Sequence, residues 1–276
     1  MKNMRCKILL PAVALMVCAA PFSAHGQDGY TVIFVVGEVS VTSMGKTHQA
    51  AVSEGLAEDA LLSTGSGSMA DISLAGKGVM RVQENTKVSV ASLIRDGREG
   101  VVNMIAGKVM VIMAKLFKGS SYEVKTSTQV ASVRGTIFQV SGDESQSRLD
   151  VLSGKVKVNP IANGIIQHQI SKLVSDNQSL TLDKLMVLDI IAKKKKFKIA
   201  ALRRDIRAAF MMQVKQIRES PQFQKFNEEL KTEINNRVME IKRKMKEKNL
   251  DQKMLRKKMR EEKEKLRKQL ERNEKQ

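Results

Sequence analysis

The chain has 276 residues, a formal net charge of +19, 4% aromatic residues, no tryptophan and two cysteines. Both cysteines, Cys6 and Cys18, lie near the N-terminus, so a chain processed beyond them would have no disulfide, no thiolate chemistry and no cysteine-held zinc. Its length is ample for a buried core.

The first residues read as an export signal. Lys2, Arg5 and Lys7 form a positive start, Ile8 to Ala20 is apolar with Pro11 inside it, and Ala24-His25-Gly26 offers small residues to a signal peptidase. Cleavage is expected before Gln27, making residues 1–26 a signal peptide. An uncleaved anchor and a lipoprotein formed on Cys18 are the alternatives. The apolar run is shorter than the ~20 residues that span a bilayer comfortably. The expected location is the periplasm or cell envelope.

Residues 27–180 are near neutral, with a net charge of +1, whereas residues 181–276 carry +15. None of the 17 glycines follows Gly164. Charge and glycine usage thus change together, which predicts two modules, 30–182 and 183–276.

The first module reads as strands. Thr31–Val36 is β-branched and aromatic. A Gly-x-Val-x-Val triplet then recurs at Gly37–Val41, Gly107–Val111 and Gly154–Val158. Its alternating valines suit one face of a strand, and its leading glycine suits a turn or a close backbone approach. The unequal spacing excludes a regular solenoid. Further strand candidates are Ala70–Leu74, Val79–Val82, Lys87–Ser92, Tyr122–Thr126 and Leu149–Leu152. They are separated by turn signals such as Thr64-Gly65-Ser66-Gly67, Asp96-Gly97 and Ser141-Gly142-Asp143.

The stretch Val133-Arg134-Gly135-Thr136-Ile137-Phe138-Gln139-Val140 resembles the Val-Arg-Gly-Thr-x-Phe-x-Val signature of FecR-type periplasmic domains. Other elements resemble that family in the same order: Gly37–Val41, Thr64–Leu74, Gly107–Val111, Val151–Val158 and the closing Asn177-Gln178-Ser179-Leu180. The resemblance covers roughly residues 30–182 and implies a periplasmic interaction domain. The family's best-known members relay a signal from an outer-membrane receptor to a cytoplasmic sigma factor. They do so through a membrane helix and an anti-sigma segment placed before the periplasmic domain. Here only the leader precedes the β module, so what carries over is the domain, not the transmembrane relay.

Within the signature, Val133, Gly135 and Ile137 do not keep one phase with Phe138 and Val140. A bulge or kink near Gly135 is expected. Phe138 is expected in the core. Arg134 has two readings, a contact to a ligand or partner, or a guanidinium bonding carbonyls or a carboxylate at the bulge.

The second module reads as helix. Ile199, Leu202, Ile206, Phe210, Val214 and Ile217 recur at spacings of three and four. Ser220-Pro221 offers an N-cap followed by proline at the first helical position. A second stripe follows: Phe223, Phe226, Leu230, Ile234, Val238, Ile241 and Met245. Asn249 could cap a third segment. An unbroken helix from Pro221 to Glu274 would be about 80 Å long. The expected fold is therefore an all-β FecR-like sandwich or roll followed by a long, coiled-coil-like helical extension. The second stripe is the candidate helix interface, for self-association or for an envelope protein.

The basic surplus supplies candidate contacts to an anionic membrane or cell-wall surface: Lys193, Lys194, Lys195, Lys196, Arg203, Arg204 and Arg207. A solvated basic face is the alternative, and export argues against nucleic acid as a partner. Catalysis finds little vocabulary. His48 and His168 are far apart and lack metal-ligand spacing, and the paired acids Glu58-Asp59 and Asp143-Glu144 fall in polar, turn-like stretches. Gly65-x-Gly67 precedes a strand pattern, so it makes no phosphate loop. No cofactor or metal is expected. The overall expectation is a non-catalytic exported interaction or scaffold protein, with a regulatory sensor component as the alternative.

Overall fold

The structure is a computed structural model that describes residues 29–247, apart from 59, 75–76, 92–97 and 114–120, together with 257 and 260–264. The leader, with Cys6, Cys18 and the cleavage site, lies outside the described residues, as does Asn249.

The strands run in chain order as β1 (Tyr30–Val36), β2 (Val39–Ser43), β3 (Lys46–Gln49), β4 (Gly55–Leu56), β5 (Leu61–Thr64) and β6 (Met69–Leu74). They continue as β7 (Gly78–Val82), β8 (Lys87–Ala91), β9 (Arg98–Met113), β10 (Ser121–Lys125), β11 (Gln129–Val133) and β12 (Ile137–Gly142). The last are β13 (Gln146–Ser153), β14 (Lys155–Ala162), β15 (Ile165–Ile166), β16 (Lys172–Ser175), β17 (Gln178–Asp183) and β18 (Ile199–Ala201). Three helices follow or interleave: α1 (Lys184–Ile191), α2 (Arg204–Glu219) and α3 (Pro221–Glu247).

Strand pairing makes two sheets, and β15 pairs with the end of β14 in a short separate hairpin. Sheet I has the order β4-β1-β6-β7-β9-β12-β13-β17-β18. Sheet II has the order β3-β2-β5-β8-β9-β10-β11-β14-β16. The β9–β10 pair is parallel and the other pairs are antiparallel. Strand β9 serves both sheets: residues up to Ala106 pair with β8, and residues from Gly107 onward pair with β7 and β12. The inner faces enclose one core. Sheet I contributes Val32, Ile72, Met80, Val109, Val111, Phe138, Val140, Leu149 and Leu180, and sheet II contributes Val39, Val41, Leu62, Val88, Val102, Tyr122, Val133 and Val156.

The repeated glycines are corners between these sheets. Gly37 separates β1 in sheet I from β2 in sheet II, and Gly154 separates β13 in sheet I from β14 in sheet II. Gly107 sits where β9 changes sheet. All three have positive φ, +75°, +97° and +103° respectively. A side chain at Gly107 would put its Cβ 2.3 Å from Thr86 Oγ1, so the corner needs both the conformation and the space of glycine.

The C-terminal part corrects the expected fold class. Among the described residues there is no coiled coil, and the residues after 182 do not form one long helical extension. Asp183 caps α1 by accepting from the Met186 amide at 2.6 Å. Val187 and Ile190 of α1 join the core between the sheets. Ile199, which the periodicity places on a helix, lies in β18 and pairs with Leu180. Helix α2 then covers the outer face of sheet I. Its Phe210, Val214 and Ile217 form a second apolar cluster with Leu202, Phe223 and the sheet residues Val79, Met110, Ile112, Ile137 and Leu152. That cluster is the physical reason for the correction: the helical stripe meets an apolar row of this same chain. Ser220 ends α2 and begins α3, its Oγ accepting from the Phe223 amide at 3.3 Å. Helix α3 is described to Glu247, and at about 1.5 Å per residue its 27 residues span roughly 40 Å.

A polar row crosses sheet I beside the apolar one. Asp71, Arg81, Met110, Gln139, Asp150 and Ser179 stand opposite one another on successive strands. Arg81 and Asp71 are buried and form a two-pronged ion pair, Nε to Oδ1 and Nη2 to Oδ2 at 2.7 Å each. Gln83 Nε2 donates to Gln213 Oε1 of α2 at 3.0 Å, and Arg81 Nη1 reaches Gln216 Oε1 at 3.4 Å. The polar row thus fixes how α2 lies on the sheet, and pairing keeps the buried charges from being stranded.

Candidate functional site

The signature residues occupy the turn by which the chain passes from β11 in sheet II to β12 in sheet I. Val133, Phe138 and Val140 are buried in the core. Thr136 is buried and donates its hydroxyl to the Lys155 carbonyl at 3.3 Å, while its own carbonyl accepts from the Met113 amide at 3.0 Å. Gly135 has φ +130°, and the register against β13 shifts between Ile137 and Phe138. The phase break in the sequence therefore combines a change of sheet with a bulge. Arg134 is the one exposed side chain of the six signature residues named here.

Arg134 borders a cleft of about 280 Å³ on the outer face of sheet II. Its other walls are Ser121 and Glu123 of β10, Val130 and Ser132 of β11, Lys157 and Asn159 of β14, and Ile166 and His168 from the following hairpin. Pairing explains the convergence. Glu123 stands opposite Ser132, and Ser132 opposite Lys157, so three strands place these side chains in one row. Ser132 Oγ donates to Glu123 Oε1 at 3.0 Å.

The overhanging wall is held from below. Asn163 and Gly164, with φ +50° and +77°, make the tight turn from β14 to β15. Asn159 is buried, and its Nδ2 donates to the carbonyls of Gln167, His168 and Ile170 at 3.2, 3.4 and 3.2 Å. This one amide pins the loop that carries His168. Arg134, Lys157 and His168 are exposed at the rim. Two permanent cations, one titratable ring and two hydroxyls face a single carboxylate, Glu123. With its cations and hydroxyl donors the arrangement suits an anionic group.

Sequence reasoning singled out Arg134 but not the residues around it. Lys157 lies within the third Gly-x-Val-x-Val copy and His168 was weighed only as a metal ligand. Strand pairing, which joins residues 121 to 168, supplies the missing information.

The other candidates fall elsewhere. Lys193 to Lys196 are exposed in the turn after α1, and Arg203, Arg204 and Arg207 are exposed at the start of α2. Of the candidate helix interface, Phe223 is buried in the second cluster, Val238 is half-buried and Ile241 is exposed. The side chains of Phe226, Leu230, Ile234 and Met245 lie outside the described residues. His48 Nε2 is bonded to Glu54 Oε1 at 2.6 Å. Among the described residues no group of three or more His, Cys, Asp or Glu side chains could hold a metal ion. No helix among them is long and apolar enough to cross a membrane.

Comparison with known proteins gives a family match for part of the chain. No curated protein matches the chain. Two crystal structures of a candidate anti-sigma factor from Parabacteroides distasonis are similar at 14% identity and a TM-score of 0.42 each. The alignment covers 55% of this chain and 64% and 63% of theirs, so the chain spans under two thirds of their length. Residues 60–157 match the family described as FecR protein, a stretch that runs from β5 into β14 and contains the whole Arg134 turn. By that match the chain contains a FecR domain, within residues 60–157.

Proposed function

We propose that this is a non-catalytic, exported FecR-domain protein that acts as a regulatory interaction module of the cell envelope. The observation that carries the reading is the FecR stretch itself, whose signature puts its exposed arginine on the rim of a cation-rich cleft. A FecR domain points to regulatory signalling rather than to turnover of a substrate. The Lys2–Ala24 leader pattern supports export, and a secreted product whose intact mass begins at Gln27 would check that step.

In this reading the cleft engages a partner through an anionic group, and binding is the whole of the chemistry. Arg134 gives a planar fork, Lys157 a point charge, and Asn159 keeps the His168 wall in place. The test compares envelope proteins captured by the secreted chain and by an Arg134→Ala/Lys157→Ala variant. A partner bound by the parent and lost from an equally stable variant is the expected result. The same partners on both proteins would remove the cleft from the mechanism.

A further inference from the structure

We propose a second docking element, the free edge of sheet I at β18, which takes an acidic, extended peptide segment as an added strand. Strand β18 pairs only with β17 among the described residues. The Leu202 amide donates to the Asn177 carbonyl at 2.8 Å, so Leu202 points its backbone toward β17. Antiparallel strands alternate, which turns Ala200 toward β17 as well and leaves the N–H and C=O groups of Ile199 and Ala201 facing away. Ala200 and Ala201 are exposed and small, so their own side chains do not shield that edge. Unpaired edges of this kind are templates for strand addition, and proteins commonly guard them with bulk, proline or a covering loop.

Charge on both sides of the edge selects the occupant. Lys193, Lys194, Lys196 and Lys198 precede the strand, and Arg204 and Arg207 follow it, all exposed. None of these six has an ion-pair partner among the described residues, whereas Lys195 is bound to Asp189 at 2.7 Å and Arg203 to Asp205 at 2.6 Å. The turn carrying the lysines is itself fixed. Lys193 has φ +58°, its amide donates to the Ile190 carbonyl at 3.0 Å, and the Lys194 amide donates to the Asp189 carbonyl at 2.8 Å. A bare backbone edge between two held cationic clusters matches a polypeptide that brings backbone groups for the edge and carboxylates for the flanks. An anionic lipid surface would use the cations but not the edge.

The experiment uses the full chain and a blocked octapeptide of alternating valine and glutamate, with phosphatidylglycerol vesicles as the second arm. Peptide binding is expected to slow hydrogen exchange at the Ile199 and Ala201 amides. Ala201→Pro removes one outward N–H while sparing the β17 pairing and should weaken the peptide tenfold or more. Lys194→Glu/Lys196→Glu should weaken it and flatten its salt dependence. Cooperative melting shows whether the proline variant is folded; if it is not, amide exchange in the parent protein decides. Peptide bound without protection of those two amides, or bound equally by a folded proline variant, overturns the proposal. So does binding to vesicles with none to peptide, which would assign the patch to a membrane.

Discussion

A Cβ on Gly154 would lie 2.8 Å from the carbonyl oxygen of Gly135. The two corners by which the chain changes sheets, one in the signature and one in the last Gly-x-Val-x-Val copy, are therefore packed backbone against backbone. Gly154→Ala should lower stability by about 2–5 kcal/mol, from strain at φ +97° together with the clash. Gly45→Ala is the control, with φ +75° and nothing within 4 Å, and should cost about 1 kcal/mol. Urea denaturation of both variants checks this, and equal midpoints would contradict the close packing.

The chain has two tyrosines and no tryptophan, and the two rings meet edge to face with centroids 6.2 Å apart. Burial pushes Tyr30 up to about 12, against the neighbouring Tyr122 phenol and the hydrogen bond to the Val101 carbonyl, which pull it down. Burial raises Tyr122 as well, reinforced by Tyr30. Both phenols stay protonated in the fold while those of the unfolded chain ionise near pH 10. The stability they contribute is present below pH ~10 and is lost as pH rises toward 12. Absorbance at 295 nm should show no phenolate until the protein unfolds. A simple titration near pH 10 with the fold intact would show that the pair is open to solvent.

Helix α2 should behave as a layer of the domain. Val214 is fully buried against sheet I, so Val214→Asp puts a carboxylate into the second cluster and should cost several kcal/mol. A chain ending at residue 203 would expose Val79, Met110, Ile112, Ile137 and Leu152, and should bind a hydrophobic dye and unfold at lower denaturant than one ending at residue 225. Indistinguishable midpoints would return the autonomous unit to residues 30–182.

Two signature residues should separate folding from recognition. Phe138→Ala empties a fully buried ring site and should cost about 3–5 kcal/mol. Arg134→Ala should change stability by under about 1 kcal/mol and act on partner binding instead. Calorimetry beside the capture assay reads both effects; a large stability loss at Arg134 would make it a structural clamp.

Much of the β architecture was legible because its signals are local. The glycines that lead the Gly-x-Val-x-Val copies and the alternating valines after them announce a corner and a face within a few residues. The Ser220-Pro221 junction was equally local. The destination of the Leu202–Ile217 stripe was not, because a helix periodicity says that a face is apolar without saying what covers it. The covering surface had left a trace. The strands around Val79–Val82 and Val109–Met113 are buried without alternation, which is how a strand with both faces covered reads. The cleft was invisible for a different reason. Glu123, Ser132 and Lys157 are neighbours only through strand register, and His168 only through the amide of Asn159.

Because β9 runs through both sheets, neither sheet can open independently. Its first half holds β8 and β10 and its second half holds β7 and β12, so the same 16 residues tie the two layers together. The two sheets are expected to open as one cooperative unit, with β9 the last element whose amides exchange with solvent. The outer strands, β4 and β18 of sheet I and β3 and β16 of sheet II, are free to fray first. A partner that pairs with β18 would tighten the margin of the domain while leaving its most persistent strand untouched.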